Sequence, residues 1–220
     1  ADLALGARRV ERLEETKRLV EAEGRRAIAV ETDVAEPESC QRLAAAAAER
    51  LGRVDVLVNN AGVGTAVPAL KETPEQFRAV IDVNLNGCYW MAQAAAQSMD
   101  RERGGSIINI SSVLGLTTAG LPQAAYASSK AALIGLTRDL AQQWTGRRGI
   151  RVNAVAPGFF ASEMTDQYPP EYLELQKQRI LTGRTGDPRE LAATVVFLAS
   201  DAAGYVTGQT LAVDGGLTVT

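Results

Sequence analysis

A chain of 220 residues, 46% hydrophobic and 22% charged, has the composition of a single globular domain with enough apolar mass for a sizeable core. A net charge of −3 leaves no basic footprint for nucleic acid, and no apolar run is long enough to span a bilayer. The two cysteines, Cys40 and Cys88, are too few and too far apart for a disulfide framework or a zinc site, so reduced thiols and a cytoplasmic location are the expectation.

From end to end, short apolar runs alternate with helical patterns, the signature of β-α units around a parallel sheet. Strands are expected near residues 3–5, 27–30, 54–58, 106–110, 150–156 and 210–213. Most are β-branched and unbroken, as strands buried on both faces should be. Helices are expected from about Arg9, Pro37, Pro74, Ala124 and Pro188. Two of them open on a capping residue, a first-turn proline and a reciprocal Gln or Glu: Thr73-Pro74-Glu75-Gln76 and Asp187-Pro188-Arg189-Glu190. The alanine run at 44–48 sits between Pro37 and Gly52 and reads as a close-packed helix. No repeat or linker is visible, so one domain should cover residues 1–220. The stretch 161–186, carrying Tyr168, Pro169, Pro170 and Tyr172, leaves the carboxyl end of a strand. Ligands of open α/β sheets bind at that rim, so this stretch is expected to be a substrate lid.

Residues just after each strand should converge on the same rim. They include Asn59-Asn60-Ala61-Gly62 and Pro157-Gly158, whose small side chains let a backbone approach a flat ligand; either motif alone also reads as a turn. Ser111 and Ser112 end the strand that begins at Ser106, and the next helix carries Tyr126 and Lys130 in the run Y-A-S-S-K. Four residues apart, these two side chains share a helix face. A cation there favours phenolate over the usual phenol, whose pKa is about 10, and makes the hydroxyl a proton donor or acceptor near neutrality. The chain has no histidine, so a serine nucleophile lacks its base and a serine triad is excluded. Ser112 instead suits a hydrogen bond to a substrate oxygen. The three residues together suggest a redox site for alcohols and ketones, although a Tyr–Lys pair at this spacing is by itself an ordinary solvated helix edge.

Taken in order, Asp33-Val34, Asn60-Ala61-Gly62, Asn84, Ser112, Tyr126, Lys130, Pro157-Gly158 and Val213-Asp214-Gly215-Gly216 resemble the short-chain dehydrogenase/reductase family over nearly the whole chain. The resemblance implies a Rossmann-like α/β fold with a doubly wound parallel sheet. It also implies NAD(P)-dependent interconversion of a ketone and a secondary alcohol. On that basis Tyr126 exchanges the proton, Lys130 holds the nicotinamide ribose and depresses the tyrosine pKa, Ser112 orients the carbonyl and Asn84 positions a water in a proton relay. Asp33 and Val34 would touch adenine, Asn60, Ala61 and Gly62 would line the cofactor, and Pro157 and Gly158 would back the nicotinamide. Ser162, where the family usually has threonine, would meet the carboxamide. Arg8 follows Ala7 at the end of the first strand with no carboxylate at the expected position, which favours NADP over NAD; equally, Arg8 and Arg9 begin a charged helix with Glu11, Glu14 and Glu15.

The family's chains begin with a strand, a glycine-rich phosphate turn and a helix. This sequence starts one strand later, so an upstream unit of roughly 30 residues is expected, and the activity expectations assume it. Phe159, Phe160, Met164 and Tyr168 offer an apolar wall suited to an acyl or alicyclic ketone. The general pattern resembles β-ketoacyl carrier-protein reductases, while the tail from Trp144 to Gly216 is similar to sugar-acid dehydrogenases such as gluconate 5-dehydrogenases. Both a 3-oxoacyl substrate and a sugar acid or polyol therefore stay open. A catalytically silent nucleotide-binding or scaffold protein of the same fold is the alternative from another class. The family also implies a homo-oligomer, a tetramer or dimer, packed through helices at 84–99 and 126–140. There Trp90, Met91, Leu133, Leu136 and Leu140 exceed what one core-facing stripe requires, with burial within the subunit as the plain alternative.

Overall fold

The computed structural model describes residues 1–161, 165 and 168–220. Its elements run β1 (Leu3–Ala7), α1 (Val10–Ala22), β2 (Ala27–Glu31), α2 (Pro37–Leu51), β3 (Val56–Asn59), α3 (Pro74–Ile81), α4 (Gly87–Ser98), β4 (Gly105–Ile110), α5 (Ala124–Arg148), β5 (Ile150–Pro157), α6 (Pro170–Arg179), α7 (Pro188–Ala199) and β6 (Thr210–Val213). This is the α/β architecture that the alternating pattern implied. All pairings are parallel. Both expected capping boxes are formed, by Thr73 with Gln76 and by Asp187 with Glu190.

Three elements differ from the expectations. The third strand begins at Val56 rather than at residue 54, although the carbonyl of Asp55 still accepts the Ser106 amide at 2.9 Å. Helix α4 carries no start signal because α3 does not stop before it: a π-helical turn (Asp82–Asn86) in right-handed helical geometry joins the two. Helix α6 lies inside the stretch expected to be a lid, opened by Pro170 at its first position.

The sheet is in two parts, β1-β2 and β3-β4-β5-β6. Strands β4 and β5 form its centre, where Ile107, Ile108, Val152, Ala154 and Val155 are fully buried. A polar chain crosses this core: Asn59 Nδ2 donates to Asn109 Oδ1 at 2.9 Å, and Asn109 Nδ2 to Thr137 Oγ1 at 2.9 Å. Between β1 and β3 two strand edges face each other across a cleft of about 1560 Å³, and Val56 and Val58 on its wall are 41% and 40% exposed. Helix α2 spans the division. Its Cys40 and Ala44 pack on Met91 and Ala94 of α4, which accounts for the alanine run.

For the apolar residues of α4 and α5 the packing selects burial within the subunit. Met91, Leu133 and Leu140 are buried within the subunit, and Trp90 and Leu136 are partly buried against the same core. These residues are consumed by the fold of one chain, so they carry no argument for an assembly.

Candidate active site

Strand β4 ends at Ile110, and the chain leaves it through Ser111 and Ser112 into a short 3-10 turn (Val113–Gly115), so Ser112 lies beyond the strand rather than in it. Two contacts seat this loop on α5. Ser111 Oγ donates to the Lys130 carbonyl at 2.8 Å, and a Cβ on Gly115 would lie 2.8 Å from the Lys130 carbonyl carbon, so a glycine is needed there. The Ser112 hydroxyl, nearly buried, accepts the Leu114 amide at 3.1 Å.

Tyr126 and Lys130 lie one turn apart on α5 and are both buried. The Lys130 ammonium stands 5.6 Å from the Tyr126 ring centroid, over its face, and donates to the Ile110 carbonyl at 2.8 Å. Burial pushes the Tyr126 phenol up from its ordinary value; a hydrogen bond with Ser112 opposes this, and the nearby Tyr168 phenol adds to it. Burial likewise holds the Lys130 ammonium below its ordinary value. The ammonium is turned to a backbone carbonyl and to the face of the ring.

Asn84 occupies the π-helical turn and is fully buried. Its Oδ1 accepts the Val63 amide at 2.8 Å, and its Nδ2 donates to the Val63 carbonyl at 2.8 Å and to Ser129 Oγ at 3.0 Å. Ser129 Oγ in turn donates to the Tyr126 carbonyl at 2.7 Å. Asn84 thus clamps the loop after β3 onto the helix that carries Tyr126. Ser129 stands in the Y-A-S-S-K run without a role assigned from the sequence; its signal is its place three residues, about five-sixths of a turn, after Tyr126 on the same side of α5.

Arg8, Asp33, Val34, Asn60, Ala61 and Gly62 all line the cleft between β1 and β3. Arg8 and Asn60–Gly62 are exposed, and Asp33 and Val34 are half-buried. Asp33 is fixed by its Oδ1 accepting the Ala35 amide at 3.0 Å. A Cβ on Gly87 would come within 2.9 Å of the Val34 carbonyl oxygen, so the start of α4 needs a glycine to pass this loop. A Cβ on Gly62 would lie 3.4 Å from Lys130 Nζ and 3.5 Å from Asn84 Oδ1, which ties the exposed loop directly to the buried cluster.

Pro157 and Gly158 stand at the end of β5, beside the end of β4. Gly158 donates to the Val213 carbonyl at 2.9 Å, and a Cβ there would lie 2.8 Å from the Cα of Asp214. Neither residue lines the cleft. Ser162 and Met164 lie outside the described residues. Of the other wall residues, Phe159 is buried with Val113, Ala119, Ile180 and Leu217, with Tyr168, Tyr172 and Leu173 packed against them; Phe160 lies against Gly186. Helix α6 is tied to the loop preceding α5, because Tyr172 Oη and Gln176 Nε2 donate to the Ala119 carbonyl at 2.9 and 3.1 Å.

Residues 1–218 match the family model described as enoyl-(acyl carrier protein) reductase. A 3-oxoacyl-(acyl-carrier-protein) reductase of Thermotoga maritima is 46% identical over 172 residues, covering 78% of this chain and 69% of that protein. A galactitol 2-dehydrogenase (L-tagatose-forming) of Cereibacter sphaeroides is 44% identical over 191 residues, covering 85% of this chain and 74% of that protein. The crystal structure of a gluconate 5-dehydrogenase from Burkholderia cenocepacia, in complex with NADP and tartrate, superposes with a TM-score of 0.93. It is 35% identical, and the match covers 100% of this chain and 86% of that one.

Proposed function

Because this chain belongs to the short-chain dehydrogenase/reductase family, we propose that it interconverts a ketone and a secondary alcohol with a nicotinamide dinucleotide, Tyr126 exchanging the proton with the substrate oxygen. The observation that carries this reading is the buried cluster of Ser112, Tyr126 and Lys130 at the carboxyl ends of β4 and its neighbours. A phenol held protonated by burial is a proton donor to a carbonyl oxygen, and Ser112 offers that oxygen a second hydrogen bond.

The residues present fit a dinucleotide. The exposed Asn60–Gly62 backbone leaves room beside Lys130 Nζ that a Cβ on Gly62 would fill. In this proposal Lys130 holds the nicotinamide ribose, Asn60, Ala61 and Gly62 line the cofactor, Asp33 and Val34 meet the adenine, and Pro157, Gly158 and Ser162 serve the nicotinamide end. When bound, the nicotinamide supplies or accepts the hydride at the substrate carbon. Asn84 holds the Val63 loop in place for this and positions a water for proton relay.

Arg8, exposed on the cleft wall at the end of β1, favours the 2′-phosphate of NADP over the bare ribose of NAD. Residues 161–186 act as a lid on the single domain, pinned through α6 to the loop before α5. A homo-oligomer, dimer or tetramer, and a cytoplasmic setting for the free, buried Cys40 and Cys88 complete the reading. Steady-state turnover of a ketone panel with NADPH and NADH tests it. The expected result is turnover favouring NADPH, with Arg8→Asp reversing the preference about tenfold or more; no turnover with either cofactor would overturn the function.

A further inference from the structure

Gln123 caps α5 one turn ahead of Tyr126 and is 8% exposed. Its Nε2 donates to the Tyr168 hydroxyl at 3.2 Å, while its Oε1 is buried with no hydrogen-bond partner among the described residues. Buried side-chain oxygens are nearly always paired, so an orphan acceptor in a site calls for an explanation. Gln123 is the N-cap residue of α5 and Tyr126 its third helical residue, so the two side chains are neighbours at one end of the helix and the Gln123–Tyr168 pair stands beside the reacting phenol. It also lies beneath the lid: Tyr168 packs on Tyr172 of α6 with ring centroids 5.3 Å apart.

We infer that Gln123 and Tyr168 form a specificity pair that receives a hydroxyl group on the carbon next to the reacting carbonyl. Resting on the ketone–alcohol reading above, this names the substrate class as an α-hydroxy ketone and its vicinal diol, of polyol or sugar-acid type. Gln123 as oriented lacks a donor, and a substrate hydroxyl supplies one. With the amide reversed, Tyr168 donates to Oε1 and the free Nε2 needs an acceptor, which a hydroxyl also provides. A methylene satisfies neither orientation, and the carbonyl of an acyl thioester satisfies only the second.

The test compares kcat/KM for acetoin and butanone, which differ by one hydroxyl beside the reacting carbonyl, in wild type, Gln123→Met, Gln123→Glu and Tyr168→Phe. Wild type should favour acetoin. Gln123→Met should reduce the acetoin-to-butanone ratio by about tenfold or more. Gln123→Glu, which keeps an acceptor, should restore part of the ratio, and Tyr168→Phe should reduce it while leaving the ring packing and the melting temperature in place. An equal fall for both ketones, or an unchanged ratio in Gln123→Met and Tyr168→Phe, would overturn the specificity pair while leaving the oxidoreductase reading intact. A wild-type preference for an acetoacetyl thioester over acetoin that Gln123→Met abolishes would overturn the substrate class. If wild type reduces none of these ketones while its fold is intact, the oxidoreductase reading fails and this inference fails with it.

Discussion

Tyr126 is costly to ionise where it stands, since burial strips water from the phenolate and the hydrogen bond with Ser112 offsets only part of that loss. Its folded-state pKa is above 10.0, so its stabilising contribution is fully present below the unfolded value and is lost as pH rises through the folded one. Lys130 runs the other way. Its folded value is below 10.5, so its contribution is present above that unfolded value and is lost as pH falls through the folded one. In the cofactor-free protein, ultraviolet difference titration against Tyr126→Phe should show this phenol ionising above pH 10.0. An ionisation in the neutral range would mean that Lys130 faces the phenol oxygen instead of the Ile110 carbonyl. The residue types at this site were legible in the sequence because Ser, Tyr and Lys recur in order between two small-residue turns. The direction of the pKa shift was not, because burial and the pairing of Lys130 with Ile110 are products of tertiary packing. Gln123 was illegible for the same reason: an unpaired oxygen exists only once its surroundings are in place.

At the scale of elements, β4, the loop after it and α5 set the site. Gly115 is the tightest point in that arrangement, since a Cβ would meet the Lys130 carbonyl carbon at 2.8 Å, a backbone atom that cannot rotate away. Gly115→Ala should push the Ser112 loop off α5, costing about 1–3 kcal/mol in chemical denaturation and reducing kcat at least about tenfold, because Ser112 and Tyr126 then separate. Wild-type stability and kcat would show that the loop has room. Helices with local start signals, such as α3 and α7 with their capping boxes, were readable from four residues each. Helix α4 was not, because the π-helical turn that holds Asn84 joins it to α3 without a cap. A helix widened by one residue leaves no compositional mark, yet it places the side chain that ties the β3 loop to Ser129 and Tyr126.

Over the whole molecule, the sheet is strongest at β4 and β5 and weakest where β1 and β3 present open edges to the cleft. Hydrogen exchange should follow that division. Amides of β4 and β5 should be the most protected, while those of β1 and β2 should exchange through local opening well before global unfolding. Uniform protection across all six strands would show that the two parts of the sheet fold and open as one unit. The parallel α/β order was legible from the alternation of apolar runs and helical patterns. The cleft was not, since strand order and edge exposure depend on which strands pair.

All these scales meet at one phenol. Turnover of a ketone by wild type and by Tyr126→Phe, with circular dichroism and melting temperature matched, tests the central claim most directly. The account predicts a loss of about a hundredfold to ten-thousandfold in kcat/KM, the range for removing a positioned general acid. Undiminished turnover by a folded Tyr126→Phe protein would contradict it.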